Sequence, residues 1–202
     1  MKTLVWDVDD VLNDLMRAWF EQGWRAEHAE CTAGYADLRS NPPHEALGVT
    51  RQSYLDSLDR FRLTAASDAL TPDAELLAWF EAHGAKFRHI ALTARPLETS
   101  PSAAAWVMRH FGRWIRVFAV VPSRPPAEAP EYDRDKGELL RWLGKGDALI
   151  DDTLRNLTDA RAVGLEAFTW PQPWNDARET KTELLQRLLC WAEEESCRSL
   201  SI

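Results

Sequence analysis

The sequence predicts an α/β fold: a parallel sheet flanked by helices, with a small helical cap inserted after the first strand. Three observations carry this. Apolar runs of strand length recur with helical patterns between them, the alternation that parallel strands joined by helical crossovers require. The first run, Leu4-Val5-Trp6, drives straight into Asp7-Val8-Asp9-Asp10, and acids belong where a buried strand ends and its backbone emerges. Between about Asp14 and Ala69 the rhythm stops, with no convincing strand over a stretch too long for a simple crossover.

In chain order, the predicted strands are Thr3–Val8, His89–Thr93, Ile115–Val121, Ala148–Asp151 and Glu166–Trp170. Helical patterns near Thr71–His83, Ser100–Phe111, Arg134–Leu143 and Thr153–Val163 separate the later ones. Thr71-Pro72 opens the first of these and Gly84 closes it, while Gly164 closes the helix before the fifth strand. The insertion reads as two helices, Leu15–Glu27 with Met16, Trp19, Phe20 and Trp24, and Arg51–Leu63 with Tyr54, Leu55, Leu58 and Phe61. The turn-rich Ser40-Asn41-Pro42-Pro43 separates them. This divides the chain into a core of residues 1–13 and 70–202 and a cap of residues 14–69. Pro122–Pro130 reads as an extended loop. A last helix, about Asp176–Glu194, turns Leu184, Leu185, Leu188, Leu189 and Trp191 toward the core.

Composition narrows the class. At 202 residues, 45% hydrophobic and 28% charged, the chain suits one good core plus a small inserted module. A net charge of −8 argues against a nucleic-acid polymer or an anionic membrane as partner, yet leaves room for a small phosphorylated ligand at a local positive site. Trp79, Trp142 and Trp191 read as buried helix faces, and core packing is the expectation for most of the ten tryptophans. Cys31, Cys190 and Cys197 lack metal-ligand spacing, and the last two lie seven apart on one predicted helix. With no signal-peptide or membrane-spanning run after Met1-Lys2, a reducing cytoplasm is the expected setting.

The chemistry is expected at the carboxyl ends of the strands. Three carboxylates crowded after the first strand repel, each like-charged pair at about 4 Å costing about 4 kcal/mol at an effective dielectric near 20. A shared divalent cation relieves this; a plain acidic turn is the alternative. The second strand ends in Thr93-Ala94-Arg95, the fourth in Asp151-Asp152-Thr153, and Lys136 stands at a helix start between them. Singly, Thr93 is a loop hydroxyl, Lys136 a surface lysine, and Asp151 or Asp152 a helix cap. Together they lie on one edge of one predicted sheet and supply what a phosphate site needs. The acids suit a metal, the lysine, hydroxyl and backbone N–H groups hold phosphoryl oxygens, one carboxylate can attack phosphorus, and another can move protons.

This ordered set, Asp7-Val8-Asp9, then Thr93, Lys136 and Asp151-Asp152, resembles the haloacid dehalogenase (HAD) superfamily. The resemblance implies a Rossmann-like core with Asp7 as nucleophile and Asp9 as general acid/base. It implies phosphoryl contacts from Thr93, Ala94 and Lys136, and Mg²⁺ held by Asp7, Asp151 and the Asp9 carbonyl, with Asp152 orienting a metal-bound water. The presence of Asp9 points to the phosphatase branch. Asp10 stands where many members have glycine. Arg95 departs from the commoner Thr/Ser-Asn pattern and either adds positive charge to the site or faces solvent.

The stretches Arg134-Asp135-Lys136, Leu149–Asp152 with Asn156, and Gln172-Pro173-Trp174-Asn175 look like the 5'-nucleotidase (deoxyribonucleotidase-like) branch, which implies a nucleoside monophosphate substrate. Trp19, Phe20 and Trp24 could offer such a substrate a stacking face or pack the cap. The expected activity is Mg²⁺-dependent phosphomonoester hydrolysis through an aspartyl-phosphate. The alternatives are a phosphatase of a phosphosugar or other small phosphometabolite, or a non-catalytic phosphate-binding protein.

Overall fold

The computed structural model describes residues 1–125, 127–130 and 132–199, the side chains of 194–199 excepted; the side chain of Cys197 therefore lies outside the described residues. Five strands, β1 (Thr3–Trp6), β2 (Arg88–Thr93), β3 (Ile115–Val120), β4 (Ala148–Asp151) and β5 (Glu166–Thr169), form one parallel sheet in the order β3-β2-β1-β4-β5. β1 is central, with Val5 paired to Ile90 on one side and Leu149 on the other. Strand alternation then sorts its side chains. Leu4 and Trp6 enter a core layer with Phe80, Phe111, Ile150, Phe168 and Leu188. Val5 enters the opposite layer with Leu92, Leu140, Leu149 and Leu157.

The helices Ala74–His83, Ser100–Phe111 and Lys181–Ser199 cover the first face, and Lys136–Leu143 and Leu154–Ala162 the second. Each large apolar side chain so buried contributes about 1.5–3 kcal/mol. Trp6 adds a polar tie: its indole N–H donates to His89 Nδ1 at 3.0 Å, and His89 Nε2 donates to the Gly84 carbonyl at 2.8 Å.

The predicted strands and crossover helices are all present, with ends shifted by up to three residues. β1 stops at Trp6, two residues short of Val8, although Asp7 N still donates to the Ile150 carbonyl at 2.9 Å. The last helix begins at Lys181, and Leu184, Leu185, Leu188 and Leu189 are buried as expected. One expectation is corrected: Trp142 is 76% exposed. The helix Lys136–Leu143 turns Leu139 and Leu140 to the sheet, and position 142 falls off that stripe.

The insertion is helical, as predicted. Residues 15–27 form one helix whose middle turns, Trp19–Trp24, are wound wider than α. It packs against Arg51–Arg62, which Thr50 opens by accepting from Ser53 N at 3.1 Å, with the short Ala65–Asp68 following. Trp19, Phe20, Trp24, Tyr54, Leu58 and Phe61 form its own apolar cluster. The two chain crossings between cap and core run side by side, Asn13 bridging Pro72 and Asp73 N donating to the Leu12 carbonyl at 3.0 Å. Among the described residues no helix is long and apolar enough to cross a membrane.

Candidate active site

The strand order reverses at β1, so the crevice beyond the carboxyl ends of β1 and β4 is where such a sheet takes a ligand. Asp7 follows β1 there, Asp151 ends β4, and Thr93 ends β2. Lys136, the first residue of its helix, is 2% exposed and reaches the same point, its Nζ donating to Asp7 Oδ1 at 2.6 Å and Asp151 Oδ2 at 2.7 Å. Its helix is aimed by Asp135, whose carboxylate caps it by accepting from Glu138 N at 2.9 Å.

Carboxylate oxygens of Asp7, Asp151 and Asp152 lie within 4.8 Å of one another. One ammonium faces three buried carboxylates, and the electrostatics record the surplus. Burial pushes the Asp7 carboxyl well above the ordinary range, opposed by Lys136 and reinforced by Asp151 and Asp152. Burial and the Asp151 charge push Asp152 up to about 7. A hard divalent cation is what this oxygen set fits, and Mg²⁺ belongs to that class. Asp152, expected one step behind the metal, thus contributes an oxygen to the cluster itself.

Neighbours fix the two acids at the end of β4. Thr153 N donates to Asp151 Oδ1 at 2.8 Å, and Asn156 Nδ2 reaches both Asp151 oxygens at 3.0 and 3.1 Å. The Trp174 indole N–H donates to Asp152 Oδ2 at 2.7 Å, while Asn175 Nδ2 holds the Asp152 carbonyl at 2.9 Å. The Gln172–Asn175 stretch therefore forms a brace under the site.

Asp10 now has a role. Its backbone is left-handed (φ 63°, ψ 10°), which turns the chain from β1 toward the cap. Its Oδ1 accepts from Met16 N at 2.8 Å, and its carbonyl accepts from Gln172 Nε2 at 2.7 Å. Asparagine and aspartate tolerate this conformation better than other residues with a Cβ, so Asp10 does what glycine does elsewhere and adds an anchor.

Asp9 stands apart from the acid cluster and faces arginines. Arg95 Nε donates to Asp9 Oδ1 and Oδ2 at 2.9 and 2.8 Å and its Nη2 to Oδ1 at 2.6 Å. Arg62, from the cap, donates to Oδ2 at 3.0 Å. Burial works against the charged form, yet Arg95 and Arg62 outweigh it and hold the Asp9 carboxyl below its usual range. Of the two readings for Arg95, the site placement is the one observed: it is 4% exposed and its N–H donates to Thr93 Oγ1 at 3.2 Å.

Asp7, Asp9, Thr93, Ala94, Arg95, Lys136 and Asp152 all line one cleft between core and cap. Trp19 and Phe20 do not. Both are 0% exposed inside the cap cluster, and the Trp19 indole N–H is spent on Ser57 Oγ at 3.1 Å, so neither presents a face to a ligand. The cap contributes Leu15, Met16, Tyr54, Leu55, Leu58, Arg51 and Arg62 instead. Arg51, Arg62, Arg124 and Trp174 went unassigned in the sequence. The i,i+3 pair Asp59–Arg62 was the one local sign of a network there.

No protein-family model matches the chain, and no curated protein is detectably similar to it. Solved structures are. A haloacid dehalogenase-like family hydrolase from Streptococcus pneumoniae superposes with a TM-score of 0.61 at 12% identity, covering 92% of this chain and 90% of that one. A second hydrolase from the same organism gives 0.60 at 15% identity, covering 93% and 99%. A HAD hydrolase of Bacillus subtilis, solved with bound magnesium, gives 0.54 at 13% identity, covering 84% and 88%. With its parallel sheet, the cap inserted after β1 and the acids at the strand ends, this chain has the fold of the HAD-like hydrolases.

Proposed function

We propose that the protein is a Mg²⁺-dependent phosphomonoester hydrolase that works through an aspartyl-phosphate on Asp7. The observation that carries this is the convergence of Asp7, Asp151, Asp152, Thr93 and Lys136 at one sheet edge, with a separate acid, Asp9, two residues from the nucleophile. Magnesium held by Asp7, Asp151 and Asp152 would offset their mutual repulsion and the charge of a phosphoryl group beside them.

This chain's own residues supply the rest. Lys136 and Thr93, with the backbone N–H of Ala94, hold phosphoryl oxygens and present phosphorus to Asp7. The Asp7 carboxylate attacks in line, a P–O bond to Asp7 forms, and the P–O bond to the leaving group breaks. Asp9, ionised while Arg95 and Arg62 pair with it, takes up a proton as the substrate enters and gives it to the departing oxygen. It then takes a proton from the water that attacks the aspartyl-phosphate, which releases inorganic phosphate, the Asp7 carboxylate and a protonated Asp9.

Two substrate classes fit. The nucleotidase-like stretches favour a nucleoside monophosphate. The cleft favours a small polar phosphometabolite, because the aromatic residues that would stack a base are sealed in the cap and arginines line the wall in their place.

Purified protein with Mg²⁺ is expected to release phosphate from an aryl phosphate, with at least a ~10³-fold loss in Asp7→Asn because no nucleophile remains. Folded, Mg²⁺-loaded protein that releases none across aryl phosphates, nucleotides and phosphosugars would overturn the reading. Ranking the panel by kcat/KM decides between the two classes.

A further inference from the structure

We propose that the cleft contains a second anion subsite on its cap-facing wall, and that the substrate's leaving group carries a carboxylate. The proposal rests on the phosphohydrolase reading above and narrows it.

The wall has more cations than it has uses for. Arg51, Arg62, Arg95 and Arg124 all line the cleft. Two carboxylates face them: Asp9, held by Arg95 and Arg62, and Asp59, held by Arg62 Nη1 at 2.8 Å and Arg124 Nη2 at 2.6 Å. Two positive charges are left over. Arg51 makes no ion pair with any described residue, and the buried Nε of Arg62 has no hydrogen-bond partner. Arg62 is only 12% exposed along its side chain, so water screens little of its charge, whereas Arg51 is exposed.

The phosphoryl group does not account for it. Its oxygens are met at the floor by Thr93, Lys136 and backbone N–H groups, beside the carboxylate cluster. Arg62 and Arg95 hold Asp9, which marks the leaving-group end, and Arg124 joins them through Asp59. Three of the four arginines come from outside the strand-end motifs: Arg51 and Arg62 from the cap helix Arg51–Arg62, and Arg124 from the loop after β3. Both Asp9 oxygens are occupied by guanidinium N–H groups, so a leaving-group oxygen reaches Asp9 as Arg62 yields. A carboxylate on that leaving group gives the yielding guanidinium a partner. The wall already holds two carboxylates by charge-assisted guanidinium pairing, the geometry that arginine suits best.

The test is a matched pair, 3-phosphoglycerate against glycerol 3-phosphate, which differ by a carboxylate in place of a hydroxymethyl group. The expected kcat/KM ratio is about tenfold or more in favour of the carboxylate, the worth of one charge-assisted contact. Arg51→Gln and Arg124→Gln should each reduce that ratio severalfold, and Arg51→Lys should restore part of it by keeping the charge. Arg51 is exposed, so its variants test the charge without disturbing the core. Hydrolysis of both esters at similar rates overturns the subsite and leaves the phosphohydrolase reading standing. A ratio that survives in both glutamine variants overturns the assignment to this wall. No phosphate from either ester, nor from the panel of aryl phosphates, nucleotides and phosphosugars, overturns the phosphohydrolase reading and the subsite with it.

Discussion

At the scale of single residues, Asp10 and His89 show how a side chain's worth depends on its backbone and burial. Asp10 is left-handed and its carboxylate satisfies a buried amide of the first cap helix. Asp10→Asn keeps both features and should cost under about 1 kcal/mol, whereas Asp10→Ala adds left-handed strain and an unpaired N–H, about 2–3 kcal/mol. Urea midpoints of the two variants check this; equal losses would remove the anchoring role.

His89 is 4% exposed, and burial lowers its pKa from 6.5 to about 4. Between those values the unfolded chain binds the extra proton, so its stabilisation is full above pH 6.5 and is lost as pH falls toward 4. The loss is about 3 kcal/mol. The stability difference between wild type and His89→Gln, measured by denaturation from pH 7 to 4, should shrink by that amount. A difference that does not move with pH would show that the imidazole is not held neutral.

At the scale of elements, the helix Lys136–Leu143 links local folding to chemistry. Asp135 caps it, and its first residue is the lysine between Asp7 and Asp151. Asp135→Ala should cost about 1 kcal/mol of stability. It should also lower kcat, because fraying at this end displaces the Lys136 ammonium itself. Thermal unfolding and steady-state kinetics on the aryl phosphate check the pair; lost stability with unchanged kcat would separate the cap from catalysis.

This element also shows what was legible. Asp7, Thr93, Asp151 and Lys136 could be found because strand ends and helix starts are local signals, and a fold with one ligand-binding edge brings such points together. Trp142 on the same helix is exposed although its sequence pattern suggests burial, because an apolar residue near a stripe looks like part of it. Trp19 and Phe20 could be placed on a packing face, but which side of the cap that face meets is not a local property.

At the scale of the molecule, the candidate metal cluster joins the ends of β1 and β4, neighbours in the sheet although Trp6 and Ala148 are 142 residues apart in sequence. A cation that binds the folded chain alone should stabilise it by about 2.7 kcal/mol at a hundred times its Kd. Mg²⁺ should therefore raise the unfolding temperature of the wild type, and the shift should vanish in Asp151→Asn. An equal shift in that variant would place the ion elsewhere. This readout needs no substrate and so tests the metal site apart from turnover.

Taken alone, the sequence determined the sheet, the crossover helices, the inserted cap and the acids, hydroxyl and lysine at the strand ends. Each is written in short-range periodicity, capping and the exclusion of charge from buried strands. Only the tertiary structure decided that Asp9 faces Arg62 and Arg95, that Arg124 and Asp59 extend that network, and that Trp174 steadies Asp152. Those contacts join residues far apart in the chain across the cap–core cleft. An ion pair of that kind leaves no periodicity behind, since an arginine reads the same whether it faces water or a buried carboxylate.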